Sequence, residues 1–460
     1  MPDSKVRNMS SNKRSWEELA ADKRAATLDK IPKSWRLSES DLLDAKKQRD
    51  LTGSFICKFL TEEAIAITAQ STTQIASEIQ AGHLSAVQVA TAFCRRAAIA
   101  HQTVCSPEAL SSLANNNCLH EICFDQAVER AKQLDAYFAQ HSKTCGPLHG
   151  VPVSLKDQFH VKGIDTTMGY VGWIGSNLGI EHPEQAHRVE SQITTELLAL
   201  GAVLYCKTSL PQTLLLGETK NNIIGQTLNP LNQNLSCGGS SGGEGALQAL
   251  GGSTVGVGTD IGGSRSTDYL HSSPLLRGSL PGQNTYRSTV GFLGTSLDGL
   301  DLIFRSVLST EPWLRDPAVV PIPFRKQIVD DFLSRAEPDG SAKTSNRPLK
   351  LGVAWTDGQV GPHPPVTRGL SMVVDAVKRA GHKLAFLKAD GAHDIHTQLD
   401  RSGEPLIPDL RDDFELRRPI GLLEYQDLTL QGLDYEAQYT DYWNSTGEED
   451  GTQNTGANTL

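Results

Sequence analysis

A glycine- and serine-rich block at residues 236–264 carries residue types that could do chemistry. It holds eleven glycines in 29 positions, arranged as two turns that flank a short helix and a strand. Glycines at turns permit positive φ and a close approach of the backbone, so successive N–H groups can point at one spot and bind an oxyanion. Ser264 ends the second turn, where such groups would converge. The block is therefore consistent with a serine-nucleophile site.

The same block has three alternative interpretations. A flexible linker would need neither the apolar helix at 244–250 nor the alternating strand at 255–261. A nucleotide-binding loop would need GxxxxGK[ST], or a glycine turn that opens a long helix after a strand, and neither occurs. An α/β-hydrolase would use Ser240, because residues 238–242 satisfy GxSxG, but the preceding NPLNQNLS cannot form the buried strand that this motif requires.

The elements around this block predict an α/β fold. In GVPVSLKD (150–157), apolar residues alternate with Pro152, Ser154 and Lys156, which is typical of a strand and places Lys156 on the face opposite the valines. A helix at about 188–200 ends at Gly201 and leads into the strand AVLYCK. Residues 349–388 read as a further βαβ unit.

The first 140 residues are expected to be mostly helical. Ser15 and Glu18 stand in capping-box register at the start of a helix over 15–29. Further helices are predicted at 72–80, 85–100 and 125–140, where apolar residues recur at helical spacing. Outside this region, the same spacing after the cap Ser296 predicts a helix near 297–308.

Composition excludes several classes of function. The chain has 460 residues with 43 Lys+Arg against 53 Asp+Glu, a net charge of −10, and no basic run that would bind nucleic acid. No apolar window long enough to span a membrane and no signal peptide are visible, so a cytoplasmic location is expected. The eight cysteines lack CxxC spacing, so we expect reduced thiols and no zinc site.

Three segments, read together, resemble the amidase signature family. They are GVPVSLKDQF (150–159), NPLNQNLSCGGSSGGEGAL (229–247) and VGVGTDIGGS (255–264), in this chain order. The wider similarity, which includes PWLRDP (312–317) and YWNSTG near the end, is to a fungal acetamidase-like branch. The resemblance implies an α/β/α sandwich around a mixed, mainly parallel sheet of about eleven strands.

The resemblance also implies a set of catalytic residues. By position, Lys156 is the catalytic lysine, Ser240 is the bridging serine that follows a cis peptide bond, and Ser264 is the nucleophile. Backbone N–H groups would form the oxyanion hole, those of Ile261, Gly262, Gly263 and Ser264. A lysine acts as a base only when neutral, so Lys156 must be desolvated enough to lower its pKa by about 3 units towards 7. No cofactor or metal ion is expected.

Neighbouring polar residues are expected to have structural roles. Asp157 points to the other strand face and would pair with a basic neighbour, while Ser241 and Asp260 would hold the loops by hydrogen bonds. The thirteen histidines fall in no block of the site, so no histidine-based triad is needed.

The sequence departs from the family pattern in two places. Family members usually read GGSIR at this point, whereas here GGS is followed directly by RSTDYLHSSPLLRGSLP, so one residue is missing between Ser264 and Arg265. Such a one-residue slip would turn Arg265 to the opposite side. Fungal relatives also continue well beyond YWNSTG. We therefore predict an N-terminal helical extension at 1–54, an amidase signature domain at 55–446 that is shortened at its C-terminal end, and a disordered tail at 447–460.

The resemblance implies an enzyme that hydrolyses small aliphatic or aryl amides through an acyl-enzyme. Two alternatives stay open: an impaired or inactive protein with the amidase fold, and a glutamine-dependent amidotransferase-type subunit, which would need a partner subunit. The expected partner is a small-molecule amide, with neither nucleic acid nor a membrane. The oligomeric state is open, with a homodimer as one alternative.

Overall fold

A computed structural model describes residues 14–103, 118–176, 189–260, 288–316, 319–333, 403 and 405. The chain divides into two compact units, residues 1–323 with 394–415 and residues 324–393 with 416–460. All the strands given below lie in the first unit. The βαβ unit predicted at 349–388 and the tail predicted at 447–460 lie outside the described residues. The three-part domain division stays a prediction.

Helices make up most of the N-terminal part of the chain. Ser15 and Glu18 form the expected capping box, with the Glu18 N–H donating to Ser15 Oγ at 3.2 Å and the Ser15 N–H donating to Glu18 Oε2 at 2.9 Å. The α-helices described in the first unit are α1 Trp16–Asp29, α2 Glu39–Lys47, α3 Ser54–Cys57, α4 Glu62–Thr68, α5 Thr72–Gln80, α6 Ala86–Thr103, α7 Phe124–His141, α8 Gln192–Ala199, α9 Gly242–Ala249 and α10 Leu297–Leu308. Helix α11 (Lys326–Leu333) belongs to the second unit.

Within the described residues, a mixed sheet of five strands forms the centre of the first unit. Its order is β1 (Leu119–Ile122), β3 (Val203–Thr208), β2 (Pro152–Lys156), β6 (Val255–Asp260) and β7 (Thr289–Gly294). The three central strands run parallel to one another, and β1 and β7 pair antiparallel at the two sides. A separate two-stranded ribbon consists of β4 (Lys220–Asn221) and β5 (Gly225–Gln226). The α/β fold with a mixed central sheet is confirmed, whereas the total of about eleven strands stays a prediction.

Two apolar clusters cover the sheet, and this is why both faces of its central strand are buried. One cluster joins Val203 and Tyr205 of β3 to helices α6, α7 and α9. The other joins Val153 and Leu155 of β2 to β6 and to helices α8 and α10. Every residue of β2 is buried. A polar side chain on this strand is therefore removed from water and must find its partners within the protein.

Most elements near the predicted site form where the periodicity places them. The strands over Pro152–Lys156, Val203–Thr208 and Val255–Asp260 are confirmed, as are the helices α8 and α10. Strand β1 was not predicted, because its sequence LHEI has two polar residues at its centre. One of them, Glu121, is buried and ion-paired to Lys23 and Lys30 of the N-terminal region, which only the tertiary structure brings near it.

Candidate active site

Lys156 is the last residue of β2, and its side chain is fully buried. The Nζ atom lies 2.7 Å from Ser240 Oγ and 2.8 Å from Thr259 Oγ1. Ser240 comes from the turn before α9, and Thr259 comes from β6, which pairs with β2. The amine therefore contacts two hydroxyl groups that are far from it in sequence.

The turn that carries Ser240 depends on its glycines. Gly238 has φ +77°, in the left-handed region that glycine adopts readily. A Cβ at residue 239 would approach the Leu216 carbonyl oxygen to 2.8 Å, so only glycine fits without a backbone shift. The Gly239–Ser240 peptide bond is cis, as the resemblance implied. This close-packed turn holds the Ser240 hydroxyl next to Lys156.

Burial changes the proton affinity of Lys156. Loss of hydration disfavours the ammonium and lowers the pKa of Lys156 to about 7 from its ordinary value of 10.5, although Asp260 and Glu244 oppose the shift. A lysine with this pKa is substantially neutral at physiological pH and can accept a proton. The environment of Lys156 therefore suits a general base.

Thr259 is a contact of Lys156 that the sequence analysis did not assign. Its Oγ1 lies 2.6 Å from Gln158 Oε1, to which it donates its proton, so it can only accept from the Lys156 amine. The available sequence signal is weak: Thr259 is a polar residue in the otherwise apolar alternation of Val255, Val257 and Ile261. This contact directs one N–H of Lys156 away from Ser240.

Asp157, the residue after Lys156, has the structural role expected for it. Its Oδ1 forms a buried ion pair with Lys207 Nζ at 2.9 Å, and its Oδ2 accepts from the Thr167 and Met168 N–H groups, each at 3.0 Å. Burial alone would raise the pKa of the Asp157 carboxyl, but the Lys207 charge and the hydrogen bond from the Thr167 hydroxyl, at 2.7 Å, lower it to about 2. His120, also buried, lies 4.0 Å from the same carboxylate. The network fixes the end of β2 from the side opposite Lys156.

Asp157→Asn is expected to lower the free energy of unfolding by about 3 kcal/mol, because it leaves the buried Lys207 ammonium without its carboxylate. The carboxyl pKa is about 2, below its ordinary 3.8, so this stabilisation is present above about pH 4 and is lost as the pH falls through 2. Urea unfolding followed by tryptophan fluorescence measures the difference, which should shrink in acid. Asp157→Asn combined with Lys207→Met should recover part of the loss; a single variant as stable as the wild type would contradict the prediction.

Ser241 also has its expected role. Its hydroxyl donates to the Thr259 carbonyl oxygen at 3.2 Å and accepts from the Thr259 N–H at 3.3 Å, which ties the start of α9 to β6. The buried histidines lie in the core: burial lowers the pKa of His101 to about 3 and that of His160 to about 4. These two imidazoles are neutral at physiological pH.

Comparison with known proteins identifies the family. The Amidase family profile matches residues 88–265, which include Lys156, Ser240 and Ser264. Acetamidase from Emericella nidulans is 38% identical over 473 residues, covering 95% of this chain and 80% of its own length. The chain belongs to the amidase family. Acetamidase from Aspergillus oryzae is 37% identical with the same coverage, so the resemblance to the fungal acetamidases is confirmed.

The fold of this amidase agrees with a solved relative. The structure of a fatty acid amide hydrolase superposes with a TM-score of 0.76 at 30% identity, covering 94% of this chain and 76% of that one. Among the residues described for this amidase, no helix has both the length and the apolar composition that a membrane span requires.

The remaining predicted site residues of the amidase lie outside the described residues. These are the nucleophile Ser264 and the oxyanion-hole residues Ile261, Gly262 and Gly263, together with the divergent segment 265–285. The structure therefore brings together Lys156 and Ser240. The catalytic assignment of all six residues stays a prediction.

Proposed function

We propose that this amidase hydrolyses small aliphatic or aryl carboxylic amides through Ser264, Ser240 and Lys156. The observation that carries the proposal is the fully buried Lys156 amine, 2.7 Å from the Ser240 hydroxyl, with its pKa lowered to about 7 by loss of hydration. The substrate class is supported by the similarity to the acetamidases of Emericella nidulans and Aspergillus oryzae. A cytoplasmic location and a homodimer stay predictions.

The proposed reaction begins with attack of Ser264 Oγ on the amide carbonyl carbon. The Ser264 proton passes to Ser240, whose own proton passes to the neutral Lys156 amine. The N–H groups of Ile261, Gly262, Gly263 and Ser264 would stabilise the negative oxygen of the tetrahedral intermediate. This arrangement needs no histidine.

Breakdown of the intermediate uses the same relay in reverse. As the C–N bond breaks, the Lys156 ammonium returns a proton through Ser240 to the leaving nitrogen, and ammonia or an amine departs. Water then attacks the acyl-enzyme and gives one proton to the relay, and Ser264 takes a proton back as the carboxylic acid is released. Lys156 is neutral at the start and at the end of the cycle.

A fluorophosphonate probe tests the proposal, because an activated serine displaces its fluoride and forms a stable phosphonyl ester. We expect one adduct, located by mass spectrometry on Ser264, and slower labelling in the presence of excess acetamide. Heat-unfolded protein is the control for unspecific reaction. An adduct on Ser240 with none on Ser264 would support the α/β-hydrolase alternative. Folded protein that acquires no adduct would support the alternative of an inactive protein with the amidase fold.

A further inference from the structure

Glu244 is a buried carboxyl group that the proposed reaction does not use. It lies in α9, and the structure gives it no exposed surface. Its Oε2 is 2.6 Å from Ser154 Oγ, and its Oε1 is 2.8 Å from Thr208 Oγ1. A Cβ at residue 256 would overlap this carboxyl, so Gly256 provides the space for it. The side chain therefore occupies a defined site between α9 and the central strands.

The hydroxyl groups around Glu244 continue as a chain. Ser154 Oγ lies 2.8 Å from Ser253 Oγ, which in turn lies 2.9 Å from the Val255 carbonyl oxygen. Together with the two contacts of the carboxyl, this makes four short oxygen–oxygen contacts. A carbonyl oxygen accepts only, so a hydrogen bond between Ser253 and Val255 must use the Ser253 proton. The direction of the whole chain follows from this end.

If each of these four contacts is a hydrogen bond, the set needs four protons, and the hydroxyls of Ser154, Ser253 and Thr208 supply three. The Tyr205 hydroxyl also interacts with Ser253, but it does not provide the fourth proton, because it donates to the Gly252 carbonyl oxygen. A protonated Glu244 completes the set: its Oε2–H donates to Ser154, Ser154 donates to Ser253, Ser253 donates to Val255, and Thr208 donates to Glu244 Oε1. An ionised Glu244 would leave one short contact between two oxygens without a proton, which is unfavourable in the core.

The surroundings of the carboxyl also favour its neutral form. Burial raises the pKa of Glu244 to about 7, against the opposing effect of the hydroxyls and of Lys156. The other titratable groups that interact with it are Cys118, before β1, and Tyr205 and Cys206 of β3; burial raises the pKa of each of these, so they carry no charge at physiological pH. Lys156 is the one cation in this set of groups.

We propose that Glu244 is a neutral carboxylic acid that donates its proton to Ser154, and that this keeps a negative charge away from Lys156. Glu244 is a positioning residue in this proposal, which rests on the proposed role of Lys156 as the base. A carboxylate at Glu244 would favour the ammonium form of Lys156 and oppose proton transfer from Ser240. When Lys156 acts as the base, Glu244 and Lys156 hold one proton between them, and the hydrogen-bond chain assigns this proton to Glu244.

Infrared spectroscopy tests the protonation state without any reference to activity. The difference spectrum between wild type and Glu244→Gln, recorded at about pH 7, where Lys156 starts to act as a base, should contain the C=O stretch of a protonated carboxylic acid that shifts in D₂O. A difference spectrum with only carboxylate bands would overturn the proposal. Because this readout needs no turnover, it gives a result even if the proposed amide hydrolysis fails.

The pH profile of kcat/KM supplies the second test. Glu244→Gln replaces one neutral group by another, so the acidic limb that reports Lys156 should stay within about 0.3 pH units of the wild type. If Glu244 were a carboxylate, its removal would lower the Lys156 pKa and move the limb to lower pH by about one unit or more, which would overturn the proposal. Asp260→Asn is the matched control, because the Asp260 charge acts on Lys156 and its loss should move the limb to lower pH.

Discussion

Replacement of Lys156 by methionine is expected to lower kcat/KM for a small amide by about 10⁴-fold, the upper end of the usual contribution of a general base. Methionine fills a similar volume in this fully buried position but cannot accept a proton from Ser240. Lys156→Arg should be as inactive, because a guanidinium keeps its charge at every accessible pH. The initial rate of ammonia release from acetamide measures the effect.

The pH dependence of the wild type follows from the same residue. Burial lowers the pKa of Lys156 to about 7, so the inactive ammonium dominates below that value and the basic amine above it. We expect kcat/KM to fall about tenfold per pH unit below pH 7 and to level off above it. The residual kcat/KM of Lys156→Met should show no such fall near pH 7.

The control for these measurements is Lys162→Met, which removes an exposed lysine from the loop six residues further along the chain. It should leave both the rate and the pH profile unchanged. Thermal unfolding of each variant checks that the fold is intact. A Lys156→Met protein that kept more than about a tenth of the wild-type activity would exclude Lys156 as the base.

Ser264→Ala is expected to lower kcat by about 10⁶-fold. This is the size of effect seen when the serine nucleophile is removed from a set of catalytic residues that act together. No acyl-enzyme can form without this hydroxyl. Rapid-quench mass spectrometry with an activated ester as substrate should show an acyl adduct on the wild type and none on the variant. Turnover that survives the substitution would contradict the assignment of Ser264.

Ser240→Ala is the matched comparison for Ser264→Ala. It removes the relay between Ser264 and Lys156, so acylation should become slow, but the adduct should still form on Ser264. The opposite pattern, with an adduct on Ser240 that Ser264→Ala leaves intact, would identify Ser240 as the nucleophile of an α/β-hydrolase-type mechanism.

Local patterns in the sequence predicted the elements that position Lys156 and Ser240. Period-two alternation over 151–156 predicted β2, and the glycine turn before residue 244 predicted the loop that carries Ser240. Such patterns are reliable here because the alternating side chains of a strand and the φ values of a tight turn depend on neighbouring residues. The family resemblance then related Lys156 to Ser240, and the structure places them 2.7 Å apart.

The sequence by itself determined the fold class, the amidase family and the strand position of Lys156. Only the tertiary structure decided how far Lys156 is buried, which hydroxyls contact its amine, and that Glu244, 88 residues away in sequence, approaches the same strand through Ser154. These properties depend on strand order and on the packing of α9 against the sheet. Both bring together residues that no local periodicity relates, and the pKa of Lys156 follows from that burial.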